Sequence, residues 1–198
     1  AAMSKAPLKE NIAAGLIQLS GWDSSKPLVD PMCGSATMLI EAVSMAIGIC
    51  PGLNRSFLLE EWEDFDPKLW AAEQTNAQLL ERKIIDLPPI IGCEKDIQIA
   101  ANAKTNIAKA GLEGIITIRR ESFIEMDLPK EPGILICNPP YGKRLGVENE
   151  LEQLYRELGD FTKNQASGWQ LWLLSGNPSL TKHLRMKCSH RIPINNGG

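Results

Sequence analysis

The segment Asn138-Pro139-Pro140-Tyr141-Gly142 carries residue types whose order has a direct chemical reading. Adjacent prolines fix the backbone and remove N–H donors, so the segment presents carbonyl oxygens from a rigid loop. The Asn138 side-chain oxygen and the Pro139 carbonyl can each accept one hydrogen of an –NH2 group, and Tyr141 offers a flat face for stacking on an extruded base. An aromatic amine is a poor nucleophile because its lone pair is delocalised into the ring. Two well-placed acceptors favour a pyramidal nitrogen whose lone pair can face an electrophilic methyl group. Positioning and local polarity carry such chemistry, and no strong general base is required.

A second constellation is Asp30-Pro31-Met32-Cys33-Gly34-Ser35-Ala36-Thr37. Gly34 admits close approach of backbone to a ligand, and the helix expected to follow offers unpaired N–H groups. The segment is neither the glycine fingerprint of dinucleotide-binding folds nor a triphosphate-binding loop. Glu94, expected at the end of another strand, is placed to accept hydrogen bonds from both ribose hydroxyls of a nucleoside. A carboxylate there repels added phosphate, which suits a phosphate-free nucleoside cofactor.

Hydrophobic patterning supplies the elements that must hold these residues. Leu8, Ile12, Leu16 and Leu19 recur at helical spacing, giving a first helix over 7 to 20 that Gly21 stops. Short apolar strands are expected at 27 to 30, 89 to 93, 115 to 119, 133 to 137 and 170 to 174, with a further strand at Arg191 to Ile194. Helices are expected from Ala36 to about Ile49, from Asp96 as cap to about Ala110, from about Asn149 to Lys163, and briefly after Gly176-Asn177-Pro178. Residues 53 to 88 read as an aromatic, acidic insertion with a helix from Pro67 to about Lys83. Strands alternating with helices, each strand apolar throughout, predict an α/β fold with a doubly wound parallel sheet covered on both faces.

The chain has 198 residues and a net charge of −3, and 43% of its residues are hydrophobic, which suits one domain with a substantial core. Its apolar runs fall well short of the roughly 20 residues of a membrane helix. Five cysteines without a C-x-x-C pair argue against a zinc site and a disulfide framework, so no metal is expected and a reducing compartment is. The acidic balance is unusual for a free-standing nucleic-acid binder. Local basic clusters occur at Lys143 with Arg144 and across Lys182, His183, Arg185, Lys187, His190 and Arg191.

With these residues in view, the whole chain resembles the methyltransferase domain of the THUMP-associated guanine-N2 RNA methyltransferases, the group that includes the bacterial large-subunit ribosomal RNA enzyme. The resemblance rests on Ala6 to Glu10, Asp30 to Thr37, Gly52 to Arg55, Phe65-Asp66-Pro67, Asn138 to Arg144 and Ser175 to Pro178. It implies a seven-stranded, Rossmann-like class I sheet, here ending before its last strand, and S-adenosyl-L-methionine as cofactor. It implies that Asp30, Cys33, Gly34, Ala36 and Thr37 line the cofactor pocket with Asn138, and that Glu94 holds the ribose. Asn138, Pro139 and Tyr141 would present the base. Structured RNA is the implied partner, ribosomal or transfer RNA, in a cytoplasmic setting or a plastid, with an upstream THUMP-type domain sharing the grip. The family usually has glycine at the position of Ala36, and often an acid that contacts adenine at the position nearest Ser122, so Ser122, flanked by Glu121, is the cofactor-binding candidate there. The alternatives are an adenine-N6 nucleic-acid methyltransferase, which shares an Asn-Pro-Pro-aromatic loop, and an RNA-binding scaffold without turnover.

Overall fold

The computed structural model describes residues 8–53, 55–79, 86–141 and 148–194. Its helices are α1 (Glu10–Ser20), α2 (Thr37–Ile47), α3 (Pro67–Leu79), α4 (Ile97–Lys109), α5 (Glu148–Gln165) and α6 (Pro178–Thr181). The strands are β1 (Leu28–Asp30), β2 (Ile90–Cys93), β3 (Ile116–Arg119), β4 (Ile134–Cys137) and β5 (Gln170–Leu173). They form one parallel sheet in the order β3-β2-β1-β4-β5. This is the doubly wound arrangement expected, with five strands among the described residues against the seven that the resemblance implies.

Alternation along each strand sorts its side chains between two cores. Leu28, Ile90, Ile134 and Ile136 pack with Leu16, Leu39, Val43 and Ile107 of α1, α2 and α4. Their neighbours Val29, Ile91, Leu135 and Cys137 pack with Leu158 and Phe161 of α5 on the other face. The central strands β1, β2 and β4 are buried on both faces and read as apolar runs, whereas the edge strands carry exposed polar residues, Thr117 on β3 and Gln170 on β5. Burying aliphatic side chains of this kind contributes roughly 1.5–3 kcal/mol each.

Local signals set the helix ends. Gly21 closes α1 in a left-handed conformation, and the Asp96 side chain accepts from the backbone N–H groups of Gln98 and Ile99 to start α4. Asn177 caps α6 by accepting from Ser179 N–H. The insertion holds α3, none of whose residues is buried, with Trp70 packed edge-on against Phe57 at 5.8 Å.

Two expectations are corrected. Arg191 to Ile194 is irregular and exposed, not a strand, because no neighbouring strand among the described residues offers it a ladder. Ala36 lies outside α2, in a left-handed conformation at φ 64°, and helical geometry begins at Thr37. The far end of the insertion helix, Lys143 with Arg144, and residues 195 to 198 lie outside the described residues.

Candidate active site

In a sheet of this order the crossovers leave β1 and β4 in opposite directions, so the crevice beyond their carboxyl ends is where a ligand can enter. Asp30 ends β1, and Asn138 follows Cys137 at the end of β4. The two constellations singled out in the sequence are thus brought to one edge of the sheet.

Asp30 is 1% exposed. Its Oδ1 accepts the Met32 N–H at 3.0 Å, while Oδ2 is buried without a partner among the described residues. Burial pushes the carboxyl up to about 8, the Met32 N–H opposes this, and the negative charge of Glu94 adds to it. An oxygen so placed calls for a donor, and a cationic one would restore the charged form.

The turn after β1 is tied to β2, since Cys33 N–H donates to the Cys93 carbonyl at 2.9 Å. Gly34 adopts φ +54°, a conformation that favours glycine. The Ser35 and Thr37 hydroxyls lie 2.9 Å apart, and Asn106 of α4 donates to the Ser35 carbonyl at 3.2 Å. Cys33 and Ala36 turn their side chains inward, at 8% and 0% exposed, and both belong to the core under α2. Burial and the nearby carboxylates hold the Cys33 thiol well above the ordinary thiol range, so it is a neutral packing group.

At the end of β2, Glu94 is half-buried and accepts the Asp96 N–H at 2.9 Å through Oε1. Ser122 is also half-buried, and its carbonyl accepts from Glu125 N–H at 3.0 Å. The Glu121 carboxylate beside it sits 3.8 Å from Arg119 Nη1.

The loop after β4 carries a second unpaired acceptor: Asn138 Oδ1 is buried without a partner among the described residues. Pro139 is buried and Tyr141 half-buried. The Tyr141 ring packs against Leu151, Tyr155 and Leu180 and lies directly on Gly176, where an added Cβ would stand 2.6 Å from its Cε2. Gly142 to Arg144 lie outside the described residues.

Sequence reasoning missed several supports. Gly92 pairs with Asp30, and a Cβ on it would come within 2.8 Å of Cys33 Sγ and of Leu39 Cδ1, so only glycine lets the turn seat on β2. Asn106, Tyr155 and Gly176 also act through neighbours far away in the chain. Only Gly92, a glycine inside an apolar strand, left a local signal, that of a close backbone approach. A groove of about 780 Å³ borders the turn on its helix side, lined by Lys9, Glu10, Ser35, Thr37, Arg55 and Asn106 among others. It does not reach Asp30, Glu94 or Asn138. Among the described residues no group of His, Cys, Asp or Glu side chains is arranged to hold a metal ion, and no helix is long and apolar enough to cross a membrane.

A doubly wound parallel sheet with an acidic β1 end, a glycine turn and an amide-bearing proline loop at the switch point places the chain among the Rossmann-like α/β proteins. The UPF0020 family, the RMKL-like methyltransferase domain, matches residues 1–198, and the chain belongs to that family. It is 39% identical over its full length to a Synechocystis protein named as an RNA methyltransferase, and covers 51% of that protein. It is 40% identical to the ribosomal RNA large subunit methyltransferase K/L of Vibrio cholerae, over 98% of this chain and 28% of the relative. The solved structure of SMU.472, a methyltransferase by its description and complexed with SAH, matches 98% of the chain and 51% of its own, with a TM-score of 0.90 and 34% identity. The chain therefore spans about half the length of the Synechocystis relative and less of the Vibrio one.

Proposed function

We propose that this chain is the catalytic domain of an S-adenosyl-L-methionine-dependent RNA methyltransferase that modifies the exocyclic 2-amino group of a guanine in ribosomal RNA. The observation that carries the reading is the pair of buried, unpartnered oxygens at the switch point, Asp30 Oδ2 and Asn138 Oδ1. One suits a cationic donor of the cofactor, and the other suits a donor of the substrate. The names borne by the K/L relatives support RNA as substrate, and the SAH held by SMU.472 supports the cofactor.

The residues fit that cofactor. Asp30 Oδ2 would take its amino-acid ammonium, the Gly34 turn would pass beneath it, and the Glu94 oxygen not engaged with Asp96 would take a ribose hydroxyl. When bound, the cofactor supplies an electrophilic methyl group on a sulfonium. Asn138 Oδ1 and the Pro139 carbonyl accept the hydrogens of the incoming amine and turn its lone pair outward, and Tyr141 supports the extruded base. The methylated nitrogen then sheds one proton to solvent, since an alkylated, positively charged aromatic amine is strongly acidic. Roles for Cys33 and Ala36 are confined to their backbone, because their side chains face the core.

The RNA grip is shared, in this reading, with an upstream THUMP-type domain, and the setting is cytoplasmic. The test is to incubate the full-length protein with unmodified RNA and labelled S-adenosyl-L-methionine and to identify the modified nucleoside by mass spectrometry. N2-methylguanosine is the expected product. Label on adenine N6 would replace the guanine assignment, and no label in RNA would remove the activity.

A further inference from the structure

Tyr155 of α5 is 0% exposed, the largest side chain so completely enclosed among the described residues, and its hydroxyl has no hydrogen-bond partner of good geometry among them, although Ser175 is close enough to act on it. It sits among Leu151, Leu180 and the Tyr141 ring. An apolar cluster of that kind would be filled equally well by phenylalanine. A hydroxyl that has left water without gaining a partner of good geometry is a net cost to the fold, so packing alone does not account for it. Burial pushes the phenol up to about 12, with Ser175 drawing it down, and Cys137 and Tyr141 are its other neighbours. At neutral pH the group is therefore a donor and never a base.

Its surroundings are the framework of the loop after β4. Leu174 N–H donates to the Cys137 carbonyl at 2.9 Å, immediately before Asn138. Ser175 Oγ donates to the Asn177 carbonyl at 3.1 Å and accepts the Asn177 N–H at 3.2 Å, which stiffens the turn under the Tyr141 ring. That turn and Tyr155 hold Tyr141 between them. Tyr155, whose Oη is unpaired among the described residues, thus packs against the Tyr141 ring of a loop that also carries an unpaired acceptor, Asn138 Oδ1.

We propose that Tyr155 is a positioning residue for methyl transfer: its buried hydroxyl, with Ser175, sets the orientation of the Asn138 to Tyr141 loop from beneath. The inference rests on the reading of that loop as the one that presents the amine. It touches neither cofactor nor base and acts through Asn138 and Tyr141.

The experiment compares wild type, Tyr155→Phe, Ser175→Ala and the double variant of the full-length protein. It measures melting temperature, affinity for S-adenosylhomocysteine, and kcat and KM for label transferred to total RNA. Tyr155→Phe should melt at or above the wild type, because an unsatisfied buried hydroxyl is removed, and should keep its S-adenosylhomocysteine affinity and its KM within about twofold, while kcat falls about tenfold. The pH profile should keep its shape, since the phenol stays neutral. The double variant should lose little beyond either single one. Wild-type kcat in Tyr155→Phe, or a parallel loss of stability and affinity, overturns the proposal. Label on a base other than guanine would defeat the guanine reading alone. Should the wild type label no RNA, the Asn138 side-chain amide resonance of the S-adenosylhomocysteine-bound protein decides: it should shift in Tyr155→Phe, and an unmoved resonance overturns the role.

Discussion

Asp30 is the residue at which charge and burial conflict most directly. Its carboxyl titrates near 8 in the folded chain against an ordinary 3.8, so the unliganded fold is favoured by the protonated form. The stability tied to that proton is fully present below about 3.8 and is lost as pH rises through about 8. Asp30→Asn keeps an acceptor for the Met32 N–H and removes the buried charge. It should therefore melt at or above the wild type at pH 8.5, while binding S-adenosylhomocysteine far more weakly. Calorimetric melts and titrations on one preparation check this, and a variant that binds normally would take Asp30 out of the cofactor site. Binding of a cationic amine, whose own titration lies at about 7.7–8.0, should also expel the Asp30 proton at pH 6.5. Buffers of differing ionisation enthalpy would reveal that proton, and its absence would contradict the pairing. Glu94→Ala should weaken the same ligand by about 1–3 kcal/mol, read from the titration midpoint. Asp30, Glu94 and Asn138 were legible from residue type and place at strand ends. Gly92 and Tyr155 were not, because the contacts that give them meaning come from residues distant in sequence.

Among the elements, the turn between β1 and α2 bears most on the site, and Ala36 shows how. Its left-handed φ costs an alanine about 1–2 kcal/mol, which glycine would relieve, but its methyl fills the core under α2, which glycine would lose. The two effects nearly cancel. Ala36→Gly should change stability by no more than about 1 kcal/mol and leave S-adenosylhomocysteine affinity unchanged, measured by denaturant unfolding and titration. A large gain in affinity would mean that the side chain reaches the ligand after all. Gly92→Ala should be far more damaging, since its Cβ would displace Cys33 and Leu39 and lift the turn from β2. The central strands β1, β2 and β4 were legible because strands covered on both faces are apolar runs, and the edge strands β3 and β5 were legible from their shorter apolar stretches. The same criterion misread 191 to 194, where apolar residues have no neighbouring ladder. The helix of the insertion was legible although it buries nothing, because its capping residue Asp66 and its helix-forming composition act locally.

For the molecule as a whole, a net charge of −3 sets the limit on what this chain does with RNA by itself. Its binding should be weak and steeply salt-sensitive, and should strengthen when the proposed THUMP-type domain is joined to it; filter binding across a salt series would show tight binding at physiological salt if that division of labour is mistaken. The central claim is that the loop after β4 presents an amine to a methyl donor held at the end of β1, and Asn138→Ala tests it most directly. Melting temperature, S-adenosyl-L-methionine affinity and single-turnover methyl transfer are to be measured on one preparation of that variant. A folded protein with near-normal cofactor affinity is expected, with a transfer rate lower by about 10²–10³-fold, the scale of losing one oriented group in the transition state. A folded, cofactor-binding variant that transfers methyl at a near-normal rate would contradict that claim.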